Sequence, residues 1–150
     1  MTAKIGPLGL EVGQRARRTQ TVTSQDVELY ARLTGDRNPL HFDADFAART
    51  RFGRLVAQGG IAAGMLNALV AMDLPGPGTV FMSQSLKYLA PTYLGDTVTA
   101  EIEVVSLKPD KPVCQLHAVI TNQDGVTLLD GECWAGPSAP WWCLPEAADQ

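Results

Sequence analysis

The chain has 150 residues, of which 45% are hydrophobic and 19% charged, and its formal net charge is -4. This length and composition are typical of one globular domain spanning residues 1–150 and exclude extensive disorder. The acidic balance argues against nucleic acid or an anionic membrane surface as a partner. The three cysteines, Cys114, Cys133 and Cys143, have no zinc-site spacing and are an odd number, which disfavours a disulfide scaffold. We therefore expect a cytoplasmic protein.

No segment has the pattern of a targeting or transmembrane sequence. Residues 1–13 lack the run of at least about seven apolar residues that a signal peptide needs. The most apolar stretch, residues 61–74, contains Asn67 and Asp73. It is also shorter than the roughly 20 residues that cross a bilayer. We interpret this stretch as part of a core helix and expect no membrane association.

The first half of the chain predicts helices. Residues 24–34 repeat apolar side chains at helical spacing after a Thr-Ser capping signal, and Gly35 is predicted to end this helix. A short second helix is predicted to begin at Asp43. Residues 35–42 lie between the two helices and contain Pro39, so they are predicted to form a loop.

The third predicted helix, residues 59–72, has apolar or small residues on every face, as expected for a helix buried on all sides. A Pro-Gly-Pro-Gly run ends it. Strands are then predicted by alternation and turn signals, and a weaker strand that presents three arginines to solvent is predicted near the N-terminus. The predicted strands are residues 14–22, 79–89, 97–106, 113–122 and 126–135.

This order of elements predicts an α+β fold. The short turns between the last three strands make those strands antiparallel neighbours, and a buried helix ahead of such a meander suggests one sheet curled around one helix. The tail from about residue 136 carries Trp141 and Trp142. We expect it to pack against the sheet or a partner subunit.

One predicted loop concentrates polar side chains. The string TGDRNPLH at residues 34–41 holds a carboxylate, an amide and one of only two histidines. Asp36 and His41 are five residues apart on a loop bent by Pro39, so they can face one cavity as a proton-transfer pair. In the alternative interpretation, Asp36 and Asn38 bond turn amides and His41 bonds nearby carbonyls. The residues alone leave both interpretations open.

Gly59 and Gly60 begin the third predicted helix, directly after Gln58. Backbone N–H groups at a helix start can bind a developing oxyanion, and one such donor stabilises a transition state by about 2.7–4 kcal/mol. Alternatively, the glycines only permit close packing. No other catalytic motif or carboxylate cluster for a metal occurs in the sequence. We interpret His117 and the strand cysteines as structural.

Together, TGDRNPLH and the string VAQGG at residues 56–60 resemble the hydratase motif of the MaoC-like family, the (R)-specific enoyl-CoA hydratases. The likeness extends from about Leu10 to Ala135. It implies a hot-dog fold, in which an antiparallel sheet wraps a long helix. It also implies homodimers whose sites lie near the subunit interface.

The resemblance implies that Asp36 and His41 form a catalytic dyad. This dyad would activate one water molecule for addition to a trans-2-enoyl thioester of coenzyme A, giving the (R)-3-hydroxyacyl product. The N–H of Gly59 would stabilise the enolate-like oxygen. No metal is implied, and no cofactor beyond the coenzyme A of the substrate. The implied substrate-binding residues are Asn38, Gln58, Gly59 and Gly60.

One residue departs from the family pattern. Relatives commonly carry histidine before the glycine that starts the helix, and this chain has Gln58. A glutamine side chain still forms hydrogen bonds, so we expect altered positioning or substrate preference and a retained activity. Asn67, on the predicted helix, is expected to face the acyl tunnel and to favour a short or functionalised acyl group.

Three other functions stay open at this stage, of which a thioesterase of the same fold is disfavoured by the hydration motif. The same dyad could dehydrate 3-hydroxyacyl groups on acyl carrier protein in a lipid or polyketide pathway. A basic rim would favour that carrier, and Lys87, Arg51 and Arg54 are available, although the phosphates of coenzyme A require the same charges. The chain could also be a non-catalytic hot-dog subunit that binds acyl thioesters. The intact pair of Asp36 and His41 argues against that function.

Overall fold

Five strands form one antiparallel sheet in the order β1-β3-β4-β5-β2. The computed structural model describes residues 9–137. The strands are β1 (Arg15–Thr21), β2 (Thr79–Tyr88), β3 (Thr97–Leu107), β4 (Cys114–Thr121) and β5 (Thr127–Pro137). The helices are α1 (Ser24–Thr34), α2 (Pro39–Phe42), α3 (Ala44–Ala48) and α4 (Gly59–Ala68), and α4 continues into a π-helical turn, Leu69–Asp73. The predicted α+β class and the antiparallel order of the last three strands are confirmed.

Helix α1 has both of its predicted end signals. Thr23 Oγ1 accepts a hydrogen bond from the Asp26 N–H at 3.2 Å, and the Asp26 carboxylate accepts one from the Thr23 N–H at 2.9 Å. This reciprocal capping box satisfies amides that have no partner within the helix. At the other end, Gly35 adopts a φ of 83° and its N–H donates to the Ala31 carbonyl. Glycine reaches this left-handed conformation without steric cost, so the chain can turn directly into the polar loop.

The prediction of a loop over residues 35–42 was wrong for its second half, because residues 39–42 form the short helix α2. Pro39 occupies the first helical position, where a proline has the right φ and loses no helical hydrogen bond. The Asn38 side chain caps this helix, since its Oδ1 accepts from the Leu40 N–H at 3.0 Å. The proline therefore begins a helix here, and His41 is held on a helical turn.

The other boundaries differ only slightly from the predictions. The helix predicted at Asp43 is α3, and the Asp43 carboxylate caps it. Strand β5 extends to Pro137, so residues 136–137 belong to the sheet and not to the predicted tail. Trp141, Trp142 and Cys143 lie outside the described residues. No helix within residues 9–137 is long and apolar enough to cross a bilayer.

The predicted alternation of β3 builds the apolar core. Its four inward-facing side chains, Val98, Ala100, Ile102 and Val104, are each 0% exposed. They belong to one cluster with Leu66 and Leu69 from α4 and its π-helical turn. Burying a valine, leucine or isoleucine contributes about 1.5–3 kcal/mol, so this contact fixes α4 on one face of the sheet.

The prediction that the third helix is buried on all sides was wrong for the single chain. Ala62, Met65 and Leu66 are buried, but Gly64 and Asn67 are exposed. The sheet covers the helix from one side only, and the other side lines a groove of about 770 Å³ together with α1 and β1. The helix is apolar all round although only one of its faces packs on the sheet, and the opposite face lines the open groove.

Close packing of β5 on β2 generates a prediction about stability. A Cβ atom at Gly131 would overlap the Ser85 carbonyl oxygen and lie 2.9 Å from the Leu86 Cα. Because both obstacles are backbone atoms, we expect Gly131→Ala to lower the free energy of unfolding by about 1–3 kcal/mol, measured by urea denaturation. Gly64→Ala is the control, because no atom outside its own helix backbone lies within 4 Å of that Cβ. Alanine should leave stability unchanged or raise it by up to about 1 kcal/mol there. Equal effects of the two substitutions would contradict this packing.

Candidate active site

The two residues of the predicted acid–base pair lie close together beside the start of α2. His41 Nε2 and Asp36 Oδ2 are 3.5 Å apart. The Asp36 side chain is 41% exposed, whereas that of His41 is only 9% exposed. The structure therefore brings together the residues that the sequence singled out, with a carboxylate open to solvent beside an imidazole that is nearly buried.

The second ring nitrogen of His41 is fixed by the backbone. His41 Nδ1 lies 2.6 Å from the Val56 carbonyl oxygen. Because a carbonyl only accepts hydrogen bonds, Nδ1 carries a proton, and Nε2 of the neutral ring presents its lone pair. Val56 is itself held on both sides, since its N–H donates to the Leu40 carbonyl and it forms a β-bridge with Tyr93. The sequence indicated no role for the Val56 carbonyl.

The neutral form of the ring gives the pair two facing acceptors. In that form Nε2 has no proton to donate, and an ionised carboxylate has none either. A water molecule has two hydrogens and can donate one to each acceptor. The arrangement is thus chemically suited to holding a water molecule and exchanging protons with it.

Polar groups within the loop hold Asp36 in place. The Asp36 Oδ1 atom accepts from the Asn38 N–H at 3.2 Å, and the Asp36 N–H donates to Thr34 Oγ1 at 3.2 Å. All three contacts of the structural alternative are therefore present, because Asp36 and Asn38 bond turn amides and His41 bonds the Val56 carbonyl. These contacts are compatible with the pairing of Asp36 and His41, because the Asn38 N–H bonds Asp36 Oδ1 whereas His41 Nε2 faces Asp36 Oδ2. A contact between Asn38 and substrate stays a prediction.

Gln58 links the loop of Asp36 to α1 and α4. Its side chain is 1% exposed, and its Nε2 donates to the carbonyls of Val27 at 3.1 Å and Asp36 at 3.3 Å. One amide nitrogen carries two hydrogens and can serve both carbonyls, whereas a neutral histidine ring offers a single N–H. Gln58 Oε1 is buried and has no hydrogen-bond partner among the described residues. These contacts are with backbone, and a contact between Gln58 and substrate stays a prediction.

The two glycines at the start of α4 are packed against tyrosine rings. A Cβ at Gly59 would lie 2.6 Å from Tyr88 Cε1, and a Cβ at Gly60 would overlap the Tyr30 hydroxyl. The close packing considered from the sequence is therefore real at both positions. It does not compete with an oxyanion role, because that role uses the Gly59 N–H, which has no acceptor within the helix. The tyrosines carry no signal in the sequence, since only the tertiary structure brings them to the glycines.

Two cavities adjoin the start of α4. The groove of about 770 Å³ is lined by Gly60 and by the open face of α4, including Asn67. A second cavity of about 490 Å³ is lined by Gly59, by Tyr88 and by residues from both earlier and later parts of the chain. Gly60 therefore borders the larger cavity, and its neighbour Gly59 borders the smaller one. The side chains of Asp36 and His41 are not among the residues that line either cavity.

The remaining candidate groups have structural partners. His117 Nε2 lies 3.0 Å from the Asp130 carboxylate on the neighbouring strand. Cys114 and Cys133 are free and buried, and burial raises the pKa of both thiols to about 11. Within residues 9–137, no group of three His, Cys, Asp or Glu side chains is placed to share a metal ion. His117 therefore has a partner within the sheet, and Cys114 and Cys133 lie in the core.

Comparisons with known proteins agree with this architecture. The family model described as MaoC like domain matches residues 9–127. The chain is 42% identical over 123 residues to the (R)-specific enoyl-CoA hydratase of Aeromonas caviae, covering 82% of this chain and 92% of that protein. It is also 42% identical to the 3-hydroxybutyryl-CoA dehydratase of Methylorubrum extorquens, covering 82% of this chain and 78% of that relative.

A solved structure also matches this chain. The (R)-hydratase from A. caviae involved in PHA biosynthesis matches with a TM-score of 0.83 at 40% identity, covering 85% of this chain and 97% of that chain. The match covers most of this chain, whose five-stranded antiparallel sheet has a helix packed against it, and the predicted hot-dog fold is confirmed. The chain therefore belongs to the MaoC-like family.

Proposed function

We propose that this protein is an (R)-specific enoyl-CoA hydratase, which adds water to trans-2-enoyl-CoA thioesters and dehydrates (R)-3-hydroxyacyl-CoA in reverse. The observation that carries the proposal is the 3.5 Å separation of His41 Nε2 and Asp36 Oδ2, with His41 Nδ1 bonded to the Val56 carbonyl. Two relatives at 42% identity whose names state this chemistry support it.

The dyad accounts for both proton transfers of the reaction. As the water oxygen bonds to C3, the water loses one proton to the dyad, and the electron pair of the C2–C3 double bond moves toward the thioester carbonyl. The dyad then delivers a proton to C2, and the carbonyl double bond is restored. The dyad carries the same number of protons before and after turnover, so one acid–base pair is sufficient.

The charge that builds on the thioester oxygen needs a donor. The Gly59 N–H, at the positive end of α4, is the proposed one. Such a donor contributes about 2.7–4 kcal/mol to the transition state. The proposal includes no metal and no organic cofactor, because the dyad and this amide supply proton transfer and charge stabilisation. Coenzyme A enters only as part of the substrate.

The acyl chain is proposed to occupy the groove of about 770 Å³. Leu29, Ile61 and Ala63 give this groove apolar walls, and Gly60 places its end next to the proposed oxyanion donor. Asn67 adds a polar amide to the same surface. Such a lining favours a short or functionalised acyl group over a long unsubstituted one.

A homodimer is also part of the proposal. Strand β2 is at one edge of the sheet, and its Met82 and Tyr88 side chains are each 60% exposed. An exposed apolar edge strand is suited to pairing with another strand. A second copy at this edge would cover those side chains. We propose that it also encloses the dyad, which lines neither cavity of the single chain. A cytoplasmic location agrees with the free thiols of Cys114 and Cys133.

The dyad generates the first test. We expect Asp36→Asn and His41→Gln each to lower kcat for hydration of crotonyl-CoA by about 100-fold or more, because each removes a proton-transfer group. The loss of enoyl-thioester absorbance measures the rate, chiral analysis identifies the (R)-product, and thermal melting verifies folding. Asp45→Asn is the matched control, because Asp45 is an exposed aspartate on α3 that takes no part in the dyad pairing. A near-normal rate in either dyad variant would refute the mechanism.

Experiments with the wild-type protein test whether the acyl group of the substrate is carried by coenzyme A or by acyl carrier protein. The alternative function uses the same dyad on a thioester of acyl carrier protein. Turnover of crotonyl-acyl carrier protein without turnover of crotonyl-CoA would establish that alternative. Binding of both thioesters with turnover of neither would indicate a non-catalytic subunit.

Gln58 provides a second prediction. Gln58→Glu keeps the shape of the side chain but replaces the donor to the Val27 and Asp36 carbonyls with an acceptor. We expect kcat to fall about 10-fold or more while KM changes little, because a loss of about 1–3 kcal/mol at a buried carbonyl displaces Asp36. Gln58→His restores one N–H donor, and we expect it to recover part of kcat. Unchanged kcat in a folded Gln58→Glu variant would show that Gln58 does not position the dyad.

The dimer edge provides a third prediction. Met82→Lys adds a charge to the exposed edge strand, and we expect it to shift the protein from dimer to monomer in sedimentation velocity at micromolar concentration. Val105→Lys is the control, because Val105 is exposed on β3, which is not an edge strand. Dissociation by both substitutions, or by neither, would contradict the assignment of β2 as the interface.

A further inference from the structure

The smaller cavity beside Gly59 has an apolar body and one charged residue. Its volume is about 490 Å³, and Arg51 is the only charged side chain among the residues that line it. Leu40, Ala90 and Leu129 contribute apolar surface. A cavity of this composition suits a slender, mostly uncharged chain that carries an anion at one end.

Aromatic rings hold Arg51 and the nearby Arg54 in place. The Arg54 guanidinium carbon lies 3.9 Å from the centroid of the Tyr93 ring, and that of Arg51 lies 4.8 Å from the centroid of Phe52. The two rings are connected, since the Tyr93 hydroxyl donates to the Phe52 carbonyl at 3.0 Å. A guanidinium that stacks on a ring keeps the N–H groups at its edge available, in a fork that matches phosphate oxygens.

These two arginines have no acidic partner among residues 9–137. The arginine–carboxylate ion pairs found there involve Arg15, Arg18 and Arg37. The two guanidinium groups belong to residues that are three positions apart in the chain. They leave a local positive charge at this cavity that an anionic ligand can neutralise.

The arginine segment is joined rigidly to the dyad. Val56, two residues after Arg54, forms a β-bridge with Tyr93, and the Ala57 N–H donates to the Thr92 carbonyl at 2.7 Å. The Val56 carbonyl accepts the hydrogen bond from His41. The segment of residues 54–57 is therefore fixed by backbone hydrogen bonds. It orients the imidazole of His41 and also places Arg54 over the Tyr93 ring.

We propose that Arg51 and Arg54 bind the phosphate at the end of the pantetheine arm of the acyl thioester. The arm lies in the cavity of about 490 Å³ and the thioester lies at Gly59. This assignment rests on the proposed hydratase function. It selects two of the three basic residues that the sequence made available, since Lys87 lies opposite Asp130 on the sheet and does not line this cavity.

The phosphate is common to coenzyme A and to the prosthetic group of acyl carrier protein, so the test varies the phosphate. Hydration kinetics are measured with crotonyl-pantetheine, crotonyl-4′-phosphopantetheine and crotonyl-CoA. The measured quantity is the ratio of the KM for crotonyl-pantetheine to the KM for each phosphorylated thioester. We expect the Arg51→Gln/Arg54→Gln double variant to reduce both ratios about 10-fold, which corresponds to about 1.4 kcal/mol of binding. Thermal melting verifies that the double variant is folded, so that unchanged ratios report on the arginines and not on unfolding.

Arg17→Gln is the matched control, because Arg17 is exposed on β1 and lines neither cavity. An equal change in the ratios for Arg17→Gln and for either single arginine variant would show only a long-range charge effect and would overturn the assignment. Ratios in the double variant equal to those of the wild type would also overturn it. A reduction confined to crotonyl-CoA would place the arginines at the nucleotide phosphates and not at the pantetheine phosphate.

A separate measurement distinguishes this inference from the proposed function. Binding of 4′-phosphopantetheine is measured by calorimetry for the wild type and the double variant. If the wild type hydrates none of the thioesters, the hydratase function is refuted. A Kd about 10-fold higher in the double variant would still support the phosphate site, and equal Kd values would overturn it.

Discussion

The hydrogen bond between His41 Nδ1 and the Val56 carbonyl is the constraint on which the site depends. It selects the tautomer that leaves Nε2 facing Asp36. Its rigidity comes from the next layer, because Val56 bonds the Leu40 backbone on one side and Tyr93 on the other. Without this bond, the imidazole could expose either nitrogen, and two facing acceptors would no longer be defined.

Three features of the site meet at the start of α4: two glycines that admit tyrosine side chains, a hydrogen bond to the loop of Asp36, and the two cavities. Gly59 admits the Tyr88 ring, Gly60 admits the Tyr30 hydroxyl, and Gln58 ties the Asp36 carbonyl to the same turn. Cavities lie beside both glycines. The core explains why this turn can be held so firmly, since the buried face of α4 is anchored by the inward side chains of β3. The opposite face of the helix stays open and supplies a groove.

The corrected predictions show where local patterns mislead. Pro39 was interpreted as a loop signal, but a proline at the first helical position begins a helix when an asparagine such as Asn38 caps it. The apolar residues all round α4 predicted complete burial, but hydrophobic periodicity reports which faces avoid water and not what covers them. Asn67 and Gly64 on the open face show that one chain leaves this side uncovered.

The sequence by itself determined the order of the five strands and of every helix except α2, the alternation that buries one face of β3, and the presence of Asp36 and His41 in one short segment. These features depend on local periodicity, capping and spacing, which neighbouring residues control. Only the tertiary structure decided the tautomer of His41, the partners of Gln58 and the tyrosines that cover the glycines. Each of those contacts joins residues that are 15 or more positions apart in the chain. Local patterns carry no information about such contacts, because packing of the helices on the sheet creates them.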